Sequence, residues 1–87
     1  MHYFLYILRC NDNTLYTGIT TDLKRRLNEH NLSAKGAKYT RSRRPVELVY
    51  TEEFEDKSSA MKREYSVKKL SREKKLLMIE MQKGNEK

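Results

Sequence analysis

Tyr3-Phe4-Leu5-Tyr6-Ile7-Leu8 is an unbroken apolar run of aromatic and branched side chains. It is too short for a helix and predicts a strand covered on both faces. Asn11-Asp12-Asn13 is turn chemistry, because these side chains bond their own backbone and tolerate left-handed conformations. Thr14 to Thr20 then alternates polar and apolar, as a strand with one wetter face does, so the two segments read as a hairpin. Past Asp22 the period lengthens. Leu23 and Leu27 stand four apart and supply the buried stripe of a helix over 23–31, with Asp22 placed to cap it. Arg26 and His30, also four apart, share a neighbouring face.

From Ser33 to Arg44 the pattern breaks. Lys35, Lys38, Arg41, Arg43 and Arg44 interleave with Gly36, Ala37 and Tyr39, which predicts a basic loop, and Pro45 disfavours helix just before it. Val46 to Glu52 predicts a third strand, ending in an acidic turn through Asp56. A helix follows over 57–70, with Ala60, Glu64 and Val67 on one stripe and Met61 and Tyr65 in an adjacent row. Ser71 is placed to cap a last helix carrying Leu76, Leu77 and Met81, which Gly84 is expected to stop. The reading is one domain over residues 1–83 and a frayed tail over 84–87. Its class is α/β of the α+β type, a three-stranded antiparallel sheet with flanking helices in the order β-β-α-β-α-α. The doubly apolar first strand belongs at the sheet centre.

Charge sharpens the picture. Of a net +7, residues 21–45 hold eight bases against two acids, residues 46–56 hold five acids and no base, and residues 57–87 hold ten bases against four acids. Two basic blocks flanking an acidic strand end suggest a field that attracts a polyanion. The lone Cys10 excludes an internal disulfide and fits a reducing, cytoplasmic setting. One Cys and two His exclude a metal–thiolate site. No apolar run nears the roughly 18 residues that span a membrane, and no basic stretch precedes the first apolar run as in a signal peptide. The sequence leaves the oligomeric state open and is compatible with a monomer.

Glu64 is the oddity, a carboxylate on a stripe that faces the sheet. There it is costly unless it is paired, hydrogen-bonded or bound to a metal; the alternatives are an ion pair with Arg26 or Lys68, snorkelling from the edge of the stripe, or a metal. Tyr6 and Tyr16 fall on paired strands and can lie close together. Each alone reads as a packing anchor. Arg26 has the fork geometry to grip a phosphate, and His30, one turn along, can donate to phosphate or shuttle a proton. Gly18 permits close backbone approach.

Taken jointly, these residues resemble the GIY-YIG endonuclease family, most specifically its small stand-alone bacterial members. The resemblance is carried by Leu5 to Asn31 and by residues 62–75, and it covers nearly the whole chain. It implies catalytic roles for Tyr6, Tyr16, Arg26, His30 and Glu64, with Gly18 structural. It also implies hydrolysis with one divalent metal, Mg²⁺ or alternatively Mn²⁺, held by Glu64 and phosphate oxygens. In that scheme Tyr6 helps deprotonate the attacking water, while Tyr16 and Arg26 bind the phosphate. Phe4 replaces the glycine of the first family tripeptide and Thr17 the isoleucine of the second.

The expected function is therefore a metal-dependent endonuclease acting on DNA in preference to RNA, structure-selective or weakly sequence-specific, in repair or processing. Lys35, Lys38, Arg41, Arg43 and Arg44 are expected to contact phosphates. Tyr6, Tyr16, Arg26 and Glu64 are expected on one face of the sheet. The alternatives are a non-catalytic nucleic-acid-binding module on the same scaffold and a protein-interaction adapter.

Overall fold

The computed structural model describes residues 2–85. The elements are β1 (Tyr3–Arg9), β2 (Leu15–Thr20), α1 (Leu23–Leu32), α2 (Lys38–Arg41), β3 (Glu47–Phe54), α3 (Lys57–Lys68) and α4 (Arg72–Asn85). The strands form one antiparallel sheet in the order β2-β1-β3, so the doubly apolar strand is central, as its sequence requires.

Alternation along β1 sends successive side chains to opposite faces. Leu5 and Ile7 point to one face and pack with Val67 of α3 and Ile79 of α4. Tyr6 and Leu8 point to the other and pack with Cys10 and Val46, flanked by Tyr16, Leu23 and Leu27. The hairpin turns through Asn13 at φ 67°, the left-handed conformation that asparagine tolerates. It is fastened by Asp12 Oδ1, which accepts from the amide and hydroxyl of Thr14.

Three side chains start three helices. Asp22 accepts from the Arg25 amide, Asp56 from the Ser59 amide and Ser71 from the Lys74 amide, each satisfying a first-turn donor that would otherwise be unpaired. Gln82 of α4 closes part of the open edge of β3. It takes the Thr51 amide at 3.2 Å and gives to the Thr51 carbonyl at 2.7 Å.

Two expectations need correcting. The basic segment is not all loop, because Lys38–Arg41 closes one helical turn on the Ala37 carbonyl, which accepts from the Thr40 and Arg41 amides. Gly84 does not stop the last helix, which continues to Asn85. A glycine that keeps a negative φ stays helical at a cost of about 1 kcal/mol. Residues 86 and 87 of the expected tail lie outside the described residues.

Candidate active site

Tyr6 stands directly opposite Gly18 in the β1–β2 ladder, and its ring lies over that glycine. Its hydroxyl meets His30 Nε2 at 2.9 Å. His30 projects from α1 and is fully buried, with both ring nitrogens engaged inside the protein. Its other ring nitrogen, Nδ1, meets Thr40 Oγ1 at 2.8 Å. Gly36 lets the intervening loop close down on α1: a Cβ there would stand 2.6 Å from the Glu29 carbonyl oxygen and 2.9 Å from His30 Cα. The Tyr16 ring packs on the edge of His30 at 5.2 Å and stacks on Tyr39 at 5.9 Å. The Arg43 guanidinium covers the Tyr39 ring at 4.0 Å.

Arg26 lies on α1 one turn before His30, partly exposed. Its Nη1 donates to Glu29 at 2.8 Å and to the Lys35 carbonyl at 2.9 Å, and the guanidinium also lies against the Tyr6 hydroxyl as a donor. The guanidinium opens onto a groove of about 340 Å³ lined by Tyr3, Ile19, Thr20, Thr21, Arg25, Glu29 and Lys57. Three cations against one acid make this groove a fit for a polyanion. A larger groove of about 430 Å³, along α1 between Asp22 and Ser33, holds none of the five expected catalytic residues.

These surroundings set the proton affinities. Burial pushes the Tyr6 phenol up to about 12, with Arg26 beside it opposing the rise and Tyr16 and Glu64 adding to it. Burial, reinforced by the Arg26 charge, pushes His30 down to about 4. At neutral pH the pair is a protonated phenol and an uncharged imidazole.

Glu64 arrives differently from the expectation of a single shared face. Its helix, α3, packs through Val67 against the Leu5 and Ile7 face, opposite to Tyr6. Tyr6, however, leans over Gly18 toward β2, and α3 also packs against β2. The Glu64 carboxylate is near enough to act on the Tyr6 phenol through its field, without a hydrogen bond to it. Its ion pair is with Lys68 at 3.3 Å, the ordinary partner foreseen for it, and it keeps 21% exposure between the fully buried Ala60 and Val67. Thr17, at the isoleucine position of the resemblance, buries a hydroxyl that has no partner among the described residues.

The donor set bears on a metal. Among the described residues no three His, Cys, Asp or Glu side chains gather. What exists is one half-buried carboxylate with an exposed lysine as its only ion pair. That fits a hard divalent cation that keeps most of its waters and takes phosphate oxygens, as Mg²⁺ does, and does not fit an all-protein cage.

The basic segment divides in two. Arg44 donates to the carbonyls of His30 and Ser33 at 2.5 Å each and of Glu29 at 3.4 Å, closing the end of α1. Arg43 is held by Asp12 at 3.0 Å and the Tyr39 carbonyl at 2.7 Å. Arg41 spends one nitrogen on the Ala34 carbonyl but is exposed, as are Lys35 and Lys38. Only these last three present charge outward. Thr40, Tyr39 and Lys57 were not foreseen as site residues. Nothing in a threonine within a basic stretch announces a buried histidine partner ten residues away.

The sheet thus carries two tyrosines that meet a histidine of α1, with an arginine of the same helix one turn away. Comparison with known proteins shows the family. Residues 2–76 match the GIY-YIG catalytic domain, and the chain belongs to that family. It is 60% identical over 77 residues to a UPF0213 protein of Desulfotalea psychrophila, covering 88% of this chain and 70% of that one. Two solution NMR structures share the fold. The UPF0213 protein BH0048 of Bacillus halodurans is 51% identical with a TM-score of 0.60, and the protein EF2693 of E. faecalis is 44% identical with a TM-score of 0.65. Each alignment covers 93% of this chain and 85% of the other.

Proposed function

We propose that this chain is a metal-dependent endonuclease that hydrolyses phosphodiester bonds in DNA, selecting structure or weakly selecting sequence, in repair or processing. The observation that carries the proposal is the buried bond between Tyr6 and an uncharged His30, with Arg26 beside the phenol and lining the groove. Arg26, lining the groove, binds a non-bridging phosphate oxygen and meets the charge that builds there during attack. Tyr16, packed on the edge of the His30 ring, helps position the same phosphate. Tyr6 takes a proton from the attacking water as its own passes toward His30 Nε2.

The relay is off at rest. Burial raises the Tyr6 phenol and lowers the His30 imidazole, so at rest the proton stays on the phenol. A divalent cation held by Glu64 and phosphate oxygens would supply the positive charge that lowers that barrier and polarises the phosphate. Lys68 must then release Glu64, and the exposed Lys35, Lys38 and Arg41 hold flanking phosphates without reading bases.

The test uses the purified chain with labelled duplex, single-stranded, flap and branched DNA in Mg²⁺, Mn²⁺ or chelator. Wild type should cut at least one substrate, and only with metal. Glu64→Gln should lose cleavage while keeping binding in chelator. Tyr6→Phe should slow cleavage by on the order of 10²–10⁴-fold with the fold intact. Binding without metal-dependent cleavage of any substrate would replace the enzyme with a non-catalytic nucleic-acid-binding module.

A further inference from the structure

Thr40 is fully buried in the one-turn helix α2, and its hydroxyl lies between two polar partners. It is 3.0 Å from the Ala37 carbonyl and 2.8 Å from His30 Nδ1. A hydroxyl has a single proton. The carbonyl carries no proton, so a bond there needs the threonine's, and the bond to His30 then needs the proton of Nδ1–H. We infer that Thr40 is a positioning residue that fixes the tautomer of His30, holding the ring proton on Nδ1 so that Nε2 faces Tyr6 as an acceptor. The far end of the chain requires the same assignment. The Tyr6 hydroxyl has no hydrogen-bond acceptor other than Nε2 among the described residues, and its other hydrogen-bonding neighbour, Arg26, only donates. With the opposite tautomer, Nε2–H and Arg26 would both point protons at the phenol oxygen, and the phenol's own buried proton would have no partner. The sequence Tyr6 O–H to Nε2, Nδ1–H to Oγ1 and Oγ1–H to the Ala37 carbonyl gives every proton one place.

The consequence for the proposed reaction is directional. Only the Nδ1–H tautomer leaves Nε2 able to receive the Tyr6 proton, and the imidazolium so formed still donates to Thr40. This kinetic part rests on the nuclease reading. The tautomer is a property of the resting protein and does not.

The experiment is long-range ¹H–¹⁵N NMR of the intact chain at neutral pH with ¹⁵N-labelled histidine, assigned through a His2→Gln variant. Wild type should show Nδ1 protonated and Nε2 bare. Thr40→Val keeps the shape and removes the acceptor, so His30 should shift toward the Nε2–H form. Metal-dependent kcat should then fall about tenfold or more, approaching the loss expected for an absent general base, with KM little changed. Thr40→Ser should restore Nδ1–H and recover rate relative to Thr40→Val. An Nε2–H tautomer in wild type, or an unchanged tautomer in Thr40→Val, would overturn the inference. If Thr40→Val does not fold, the wild-type and Thr40→Ser spectra decide it. Nδ1–H in wild type with no cleavage of any substrate would uphold the inference and remove the nuclease reading instead.

Discussion

A Cβ at Gly18 would stand 2.5 Å from the Tyr6 phenol oxygen and 2.7 Å from Cζ, closer than real atoms come. The nearby atoms are the end of a side chain, but one with only 3% exposure and a bond to a fully buried histidine. It has nowhere to retreat without repacking. Gly18→Ala should therefore destabilise the chain by about 1–3 kcal/mol, the usual cost of overpacking, and should break the Tyr6–His30 bond. Urea unfolding measures the first effect and a changed His30 ring spectrum the second. Wild-type stability with an unchanged His30 spectrum would show that Tyr6 does not depend on the missing side chain. The glycine was legible in the sequence as a place of close approach, but what approaches it was not. That follows from strand pairing, which sets Tyr6 against Gly18 in the β1–β2 ladder.

At the scale of elements, the signals that could be read were local ones. Asp22 and Ser71 cap the helices they were expected to cap, because a cap depends on residues within one turn. The doubly apolar β1 was legible as the central strand because its pattern records burial on both faces. What escaped depends on contacts between distant segments. Glu64 was expected on the same face as Tyr6, and helical spacing could not say over which face its helix would lie. Five bases in the 33–44 segment looked equivalent, yet Arg44 ends up serving three carbonyls at the end of α1 and Arg43 bridges Tyr39 to Asp12. The two groups should separate on mutation. Arg44→Ala should cost about 1.5–3 kcal/mol of stability, the range for hydrogen bonds to a charged group. Lys35→Ala with Lys38→Ala should leave stability within about 0.5 kcal/mol and lower the salt slope of DNA binding by up to about two. Thermal unfolding and a salt titration distinguish them. An unchanged salt slope in the lysine pair would take the segment out of the DNA-contact surface.

At the scale of the whole molecule, the buried chain from Tyr6 through His30 to Thr40 ties the sheet, α1 and α2 into one unit, and its proton affinities set how that unit responds to pH. His30 falls from an ordinary value of 6.5 to about 4 on folding. Above pH 6.5 neither the folded nor the unfolded state binds the proton, and stability is complete. Between 6.5 and 4 the unfolded chain takes up a proton that the folded chain refuses, so stability falls as the medium becomes more acid. Below 4 both states are protonated and the loss ends. The full loss is on the order of 3 kcal/mol, a large share of what a domain this small holds in reserve. Asp12, Glu29 and Asp56 have carboxyls held below their usual range, and their contribution disappears at the lower end of the same scale. The interval from 6.5 to about 4.5 therefore reports mainly on His30. Urea unfolding at half-unit steps should show stability declining across that interval in wild type. In His30→Gln, less stable at every pH, the decline should be largely absent. An equal slope in both proteins would mean that the protons taken up on unfolding go elsewhere, and that His30 is not held uncharged by its burial.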